Sequence, residues 1–217
     1  MLLHALEVRV LGSLMEKEIT TPDYYPLSLN ALLHACNQRS SRDPVMNLDE
    51  DAVRDTLHSL SEKRLAGPTS TADSRVTKYE HRLGEAFNFT RPEFAVLCVL
   101  FLRGPQTPGE LRGRAERMYR FDDLGQVQSA LQRLMTREPP LVKMLPRQPG
   151  TKEARYAHLL SGDVEAWQPE PASEAAFTTA SSADSERIAR LEEQVASLQQ
   201  EIADLQQQLA DFRKQFE

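Results

Sequence analysis

Two stretches decide how this chain folds: Glu7-Val8-Arg9-Val10-Leu11-Gly12-Ser13-Leu14-Met15-Glu16-Lys17-Glu18-Ile19-Thr20-Thr21-Pro22 and Glu93-Phe94-Ala95-Val96-Leu97-Cys98-Val99-Leu100-Phe101-Leu102-Arg103-Gly104-Pro105-Gln106-Thr107-Pro108. Glu7, Val10, Leu11, Leu14, Thr21 and Pro22 recur as Glu93, Val96, Leu97, Leu100, Thr107 and Pro108 at a constant offset of 86. A fixed offset marks a repeated unit, each copy opening with an apolar helix that stops at Thr-Pro.

The repeat continues outward from these helices. Asp49, Val53, Leu57 and Leu60 return as Asp123, Val127, Leu131 and Leu134, which is amphipathic helix spacing with an acid at the positive end of the helix dipole. A five-residue pattern closes each copy, Tyr79-Glu80-His81-Arg82-Leu83 and Tyr156-Ala157-His158-Leu159-Leu160, with the period-two alternation of a half-buried strand. Turn-forming residues precede both, over 67–74 and 146–152, and read as hairpin tips. Between the first and third helices, Thr107-Pro108-Gly109-Glu110 is a capping box that opens a helix through Leu111, Ala115 and Met118. Ser28 starts its counterpart through Leu32, Leu33 and Cys36, and the first copy carries insertions around 23–26 and 40–44. Three helices followed by a hairpin is the winged helix-turn-helix order. The expected fold class is mainly α with small β-wings (α+β), as two tandem winged-helix domains over 1–86 and 87–166.

Residues 167–183 turn to Pro, Ser, Ala, Thr and Glu, a composition that builds no core and reads as a flexible linker. From 184 to 217 a strict pattern takes over: Ile188, Leu191, Val195, Leu198, Ile202, Leu205, Leu209, Phe212 and Phe216 alternate spacings of three and four. That is a seven-residue repeat, with β-branched residues at a and Leu at d over its first turns, the pattern of a parallel two-stranded coiled coil. A homodimer through this segment is the expectation; a lone helix folded back on the body is the alternative.

The longest runs of the chain also carry a family resemblance. The strings Thr20-Thr21-Pro22-Asp23-Tyr24-Tyr25-Pro26-Leu27-Ser28-Leu29-Asn30-Ala31-Leu32, Ala35-Cys36-Asn37-Gln38, Asp43-Pro44-Val45-Met46, Ser74-Arg75-Val76-Thr77-Lys78-Tyr79-Glu80, Gln106-Thr107-Pro108-Gly109-Glu110-Leu111-Arg112 and Arg155-Tyr156-Ala157-His158-Leu159 resemble the YceH family over residues 3–165. The resemblance implies a bacterial tandem winged-helix protein and supplies no activity, so DNA binding follows from it only by analogy of fold.

Charge sharpens the functional expectation. Ten basic residues stand against thirteen acidic over 1–86, twelve against nine over 87–168, and four against ten over 169–217, for nets of −3, +3 and −6. Only the middle segment has the sign that phosphates attract. Projected as a helix, the first third helix turns Asp51, Asp55, His58, Ser59 and Glu62 outward, a poor face for DNA. The second turns out Gly125, Ser129, Gln132, Arg133 and Thr136, flanked by Gln126 and Gln128, and Gln and Arg make the bidentate contacts that adenine and guanine accept. Arg112, Arg114, Arg117 and Arg120 add a phosphate-positioning patch, with Arg147 and Lys152 on the wing. An Arg-rich solvated helix paired with Glu110 and Glu116 is the bland alternative. The stretch 37–42 could likewise touch phosphate, or Asn37 and Gln38 could instead satisfy a helix end. Double-stranded DNA is therefore the expected partner of the second module. A protein-interaction scaffold, holding a protein partner through the acidic first module without direct DNA binding, is the competing class.

No enzyme class is expected. The sequence carries no phosphate loop, dinucleotide fingerprint or nucleophile elbow, its five His are scattered, and no Cys-x-x-Cys spacing occurs, so neither cofactor nor metal is implied. Cys36 and Cys98 sit in apolar helical patterns and are expected as buried thiols. His81 and His158 hold equivalent strand positions, which points to a shared packing or hydrogen-bonding role. Exposed faces offer too few apolar side chains to suggest a small-molecule pocket, although winged-helix regulators often have one at a domain interface. With no basic N-terminal run and no apolar window approaching the roughly 18 residues of a membrane span, a cytoplasmic location is expected.

The heptad run makes a direct prediction. Ending the chain before Asp184 is expected to turn a dimer into a monomer in sedimentation equilibrium, and an unchanged mass would assign the tail another role.

Overall fold

The computed structural model describes residues 2–69, 76–147 and 153–162. It is a mixture of helices and small antiparallel sheets, consistent with a winged-helix-like α+β fold, and residues 1–165 form one compact unit. The expected linker, the coiled-coil positions from Ile188 to Leu209, and the wing residues Arg75 and Lys152 lie outside the described residues.

The first half runs α1 (Ala5–Thr20), β1 (Leu27–Ser28), α2 (Leu29–Cys36), α3 (Glu50–Glu62), β2 (Ala66–Thr69) and β3 (Lys78–His81). After α4 (Leu83–Phe87), which spans the expected junction at residue 86, come α5 (Arg91–Arg103), α6 (Pro108–Ala115), α7 (Leu124–Met135), β4 (Val142–Met144) and β5 (Tyr156–His158). The two sheets pair corresponding Tyr and His residues. Tyr79 pairs with Leu27 as Tyr156 bridges to Gln106, and His81 pairs with Ala66 as His158 pairs with Val142. In both halves a side chain at the third helix's N-cap holds the first turn: Asp49 accepts from the Ala52 amide and Asp123 from the Gln126 amide, each at 2.8 Å.

Several expected boundaries move. Gly67, Pro68 and Thr69 belong to β2 and not to a hairpin tip, because their backbone pairs with β3. The five-residue strands stop at His81 and His158; Leu83 instead opens α4 and is buried. Met118 lies beyond α6, which ends at Ala115. β1 escapes a reading by alternation because two residues cannot display a period.

α1 and α5 are buried nearly all round, Glu7 through Glu16 in one and Ala95 through Leu102 in the other. A helix buried on every side needs a neighbour on every side, and these two cover each other within one continuous core. Gly12 sets the approach: a Cβ there would stand 2.9 Å from Leu102 Cδ2 and 3.0 Å from Phe101 Cβ. Cys98 Sγ donates to the Gly12 carbonyl at 3.4 Å across the same crossing. Both thiols are free and buried, and burial pushes them up, away from reactivity.

The insertion at 37–48 is tied inward. Asn37 clamps Leu48 through both its amide atoms at 2.8 Å, and the Asp43 amide donates to Leu102 of α5 at 2.8 Å. Arg42, considered above as a phosphate contact, is buried; its guanidinium reaches the Glu16 carboxylate at 2.7 Å and the Ala35 carbonyl at 2.8 Å and is spent on packing the insertion. Arg9 is buried too and donates to the carbonyls of Cys36 and Pro44.

These contacts separate two glycines that helix propensity treats alike. Gly12→Val is expected to destabilise by about 1–3 kcal/mol through overpacking. Gly113→Ala, inside α6 with open space around it, should be neutral or stabilising by up to about 1 kcal/mol. Urea denaturation midpoints decide, and equal effects would show that the crossing is not the constraint.

Candidate nucleic-acid interface

α7 buries Val127, Ala130, Leu131 and Leu134 and leaves Gly125, Gln128, Ser129, Gln132, Arg133 and Thr136 exposed. Its sequence, Leu124-Gly125-Gln126-Val127-Gln128-Ser129-Ala130-Leu131-Gln132-Arg133-Leu134-Met135, contains no carboxylate. Gln126 stands apart from the rest of the face. It is half-buried, its Nε2 donating to Asp122 Oδ2 at 2.9 Å and its Oε1 accepting from the Asp122 amide at 3.3 Å. An open groove of about 530 Å³ runs beside the helix past Pro92 and Tyr119, so Ser129 and Arg133 are reached from solvent.

The arginines considered together in the sequence divide into two sets. Arg112 donates to the carbonyls of Phe121 (3.4 Å) and Asp122 (2.8 Å), pinning the turn before α7. Arg114 bonds Gln106 and lies 3.6 Å from Glu110. Arg117 crosses to the first half, reaching Glu16 at 3.0 Å and Ser41 Oγ at 3.2 Å. Arg120, Arg133 and Arg147 are exposed and form no ion pair among the described residues. Glu110 takes its nearer cation from Arg155 at 2.6 Å. Burial would raise the Glu110 carboxyl, but the Thr107 amide and Arg155 outweigh it and hold it below its ordinary value.

α3 presents the opposite chemistry. Asp51, Asp55, His58 and Glu62 are exposed, and Arg54 is occupied by Glu50 and Asp51 of its own helix. Ser59, expected on the solvent face, is half-buried and donates to Glu7 of α1 at 2.7 Å.

One repeated constellation escaped the sequence reading. The Glu7 carboxylate bonds the His4 amide that opens α1 and accepts from Lys63, just past α3, at 2.6 and 2.7 Å. Glu93 bonds the Thr90 amide that opens α5 and accepts from Arg137, just past α7, at 3.2 Å. The offset of 74 that relates Asp49 to Asp123 also relates Lys63 to Arg137, so the signal was present in the sequence. Burial would raise the Glu7 carboxyl; bonds from Lys63, His4 and Ser59 outweigh it and hold it below the ordinary range. In each half a nearly buried carboxylate thus fixes the end of the third helix to the start of the first. Among the described residues no group of three or more His, Cys, Asp or Glu is arranged to hold a metal ion, and no helix is long and apolar enough to cross a membrane.

The two strand histidines both pack on α5. His81 Nε2 lies 3.0 Å from Glu18 Oε2, with its ring tilted against Phe94 at 5.4 Å. His158 meets Phe101 edge-on at 5.0 Å, and its buried Nδ1 has no partner among the described residues.

What these elements define is a class: helix-rich, winged-helix-like α+β proteins with small antiparallel sheets around one core. Comparison then places the chain. It belongs to the family described as a protein of unknown function, DUF480, whose model matches residues 3–151. It is 58% identical over 193 residues to a UPF0502 protein of Koribacter versatilis, with 88% of each chain covered. It is 57% identical over 193 residues to one of Solibacter usitatus (88% of this chain, 90% of the relative) and 53% identical over 191 residues to one of Citrifermentans bemidjiense (88% and 87%).

The His158 site sets a pH dependence. Burial pushes its ring from an ordinary 6.5 down to about 4. The folded chain then holds the ring neutral while the unfolded chain takes up a proton, so this stabilisation is complete above pH 6.5 and is lost as pH falls toward 4. Glu7, Glu18 and Glu110 are all held below 4.5, so their contributions decline only below that value. His158→Gln is expected to flatten the loss of stability between pH 6.5 and 4.5, measured by urea midpoints; an unchanged slope would assign the loss to another group.

Proposed function

We propose that each half is a winged helix and that the second half binds duplex DNA, with α7 in the major groove. The observation that carries this reading is the exposed, carboxylate-free face of α7. Gln128, Gln132 and Arg133 offer base-edge hydrogen bonds, and Ser129 and Thr136 fit beside them. Arg120 and Arg147 supply unspent positive charge for phosphates. Arg112 and Arg117 serve chiefly to hold the α6–α7 turn in place, since their guanidiniums are bonded within the chain.

The acidic face of α3 suits a different task. Asp51, Asp55 and Glu62 would repel phosphate, and in this reading the first half carries a protein partner while the second engages DNA. Self-pairing of the tail through Ile188, Leu191, Val195, Leu198, Ile202, Leu205 and Leu209 would present two α7 helices and raise affinity by avidity. The role is one of binding and recruitment, without a catalytic step.

Fluorescence anisotropy of the full chain on a random-sequence duplex pool across a salt series tests this. Affinity should fall with salt, Arg120→Ala should lower the salt slope by up to about 1, and Arg133→Ala should weaken binding. Asp55→Ala should leave it unchanged or slightly improved. No binding at low salt, or an Arg133 variant indistinguishable from the parent, would move the weight to a protein scaffold without DNA.

A further inference from the structure

The scarcity of exposed apolar side chains suggested no small-molecule pocket, yet the fold assembles one. A cavity of about 540 Å³ opens where the end of α1, the β3–α4 junction, the start of α5 and the residue Met118 meet. The size lies within the range of small-ligand sites, which are characteristically apolar with a few convergent polar groups. Its walls include Ile19, Phe89, Phe94 and Met118. These come from separate elements of both halves, which is why no single stretch of sequence announces them.

Two opposite charges line the same space, and they are not spent on each other. Glu18 is half-exposed and receives His81 on Oε2 at 3.0 Å; its Oε1 has no such bond among the described residues. Arg91 is exposed and forms no ion pair among the described residues. The wall that carries Phe89 is braced in advance. Arg137 lies 4.8 Å over the Phe89 ring and donates to the carbonyls of Phe87 (2.5 Å) and Asn88 (3.3 Å), while Phe87 stacks on Phe89 at 5.3 Å. A preformed wall lowers the ordering cost of binding.

An apolar guest would leave both charges unanswered, and a guest with one charge would answer one and meet repulsion from the other. We propose that this cavity binds a small zwitterion with an aromatic or branched apolar body, of the amino-acid class, its ammonium on Glu18 and its carboxylate on Arg91. Guanidinium suits the second contact because its planar fork matches a carboxylate, and the aromatic walls favour the neighbouring cation. Arg137 lies two residues past α7, so a guest that shifts Phe89 acts on the end of that helix. This last consequence rests on the DNA-binding reading, whereas the ligand site itself does not.

Calorimetric titration of the full chain with L-phenylalanine, L-tryptophan and L-leucine, beside phenethylamine, phenylacetate and glycine, tests the proposal. At least one of the three apolar amino acids should bind at millimolar concentration or tighter. The single-charge compounds and glycine should each bind about tenfold more weakly or worse, and Glu18→Gln and Arg91→Ala should each cost about tenfold. Arg91 is exposed, so its variant should match the parent in thermal unfolding and keep the test independent of folding. No binding by any of the three amino acids, equal binding by phenethylamine or phenylacetate, or unchanged affinity in either variant would overturn the site. Because no DNA enters this titration, its failure is distinct from failure of the DNA reading.

Discussion

Everything in this unit hangs on the crossing of α1 and α5 at Gly12. Each helix is buried nearly all round, α1 packing on α2 and α3 and α5 on α6 and α7, and the remaining face of each is covered by the other. A residue without a side chain at the crossing allows Leu102 and Phe101 to settle against the α1 backbone. Once they do, the insertion at 37–48 finds Leu102 to bond, the Leu3 amide finds the Leu160 carbonyl, and Arg117 finds Glu16. The halves become one core instead of two beads on a string.

Charge inside that core follows a rule among the described residues: each buried carboxylate has a cation beside it. Glu7 has Lys63, Glu93 has Arg137, Glu16 has Arg42 and Arg117, and Arg9 has two carbonyls. Desolvating an unpaired charge costs several kcal/mol, so such pairs fix geometry more than they add stability. The rule also changes the meaning of an arginine-rich sequence. Arg42, Arg112, Arg114 and Arg117 are partly or wholly engaged within the chain, and the positive charge available to a partner is smaller and differently placed than a count suggests.

The two third helices have diverged on a common frame. Both are capped by an aspartate and both are moored by a carboxylate of the first helix in their half, yet one exposes acids and the other amides and an arginine. In the proposed reading, a shared frame with opposed surfaces would serve two unlike partners. The cavity beside Phe89 then occupies a position from which a small guest would be felt by one of them, through Arg137.

Much of this was legible in the residues alone. Fixed offsets exposed the repeat, apolar spacing placed the helices, and Tyr79/His81 and Tyr156/His158 carried the strand register, because local periodicity is a property of the chain. The sequence also held the Lys63 and Arg137 equivalence, visible once the offset is followed two residues past the helices. What it could not assign was the partner of each side chain. Whether Arg133 faces solvent while Arg42 is sealed, whether Ser59 turns to water or to Glu7, and whether Glu18 and Arg91 share a cavity depend on which surfaces meet when α1 crosses α5. Periodicity fixes the face on which a residue stands, but only long-range packing decides whether that face is covered, and by what.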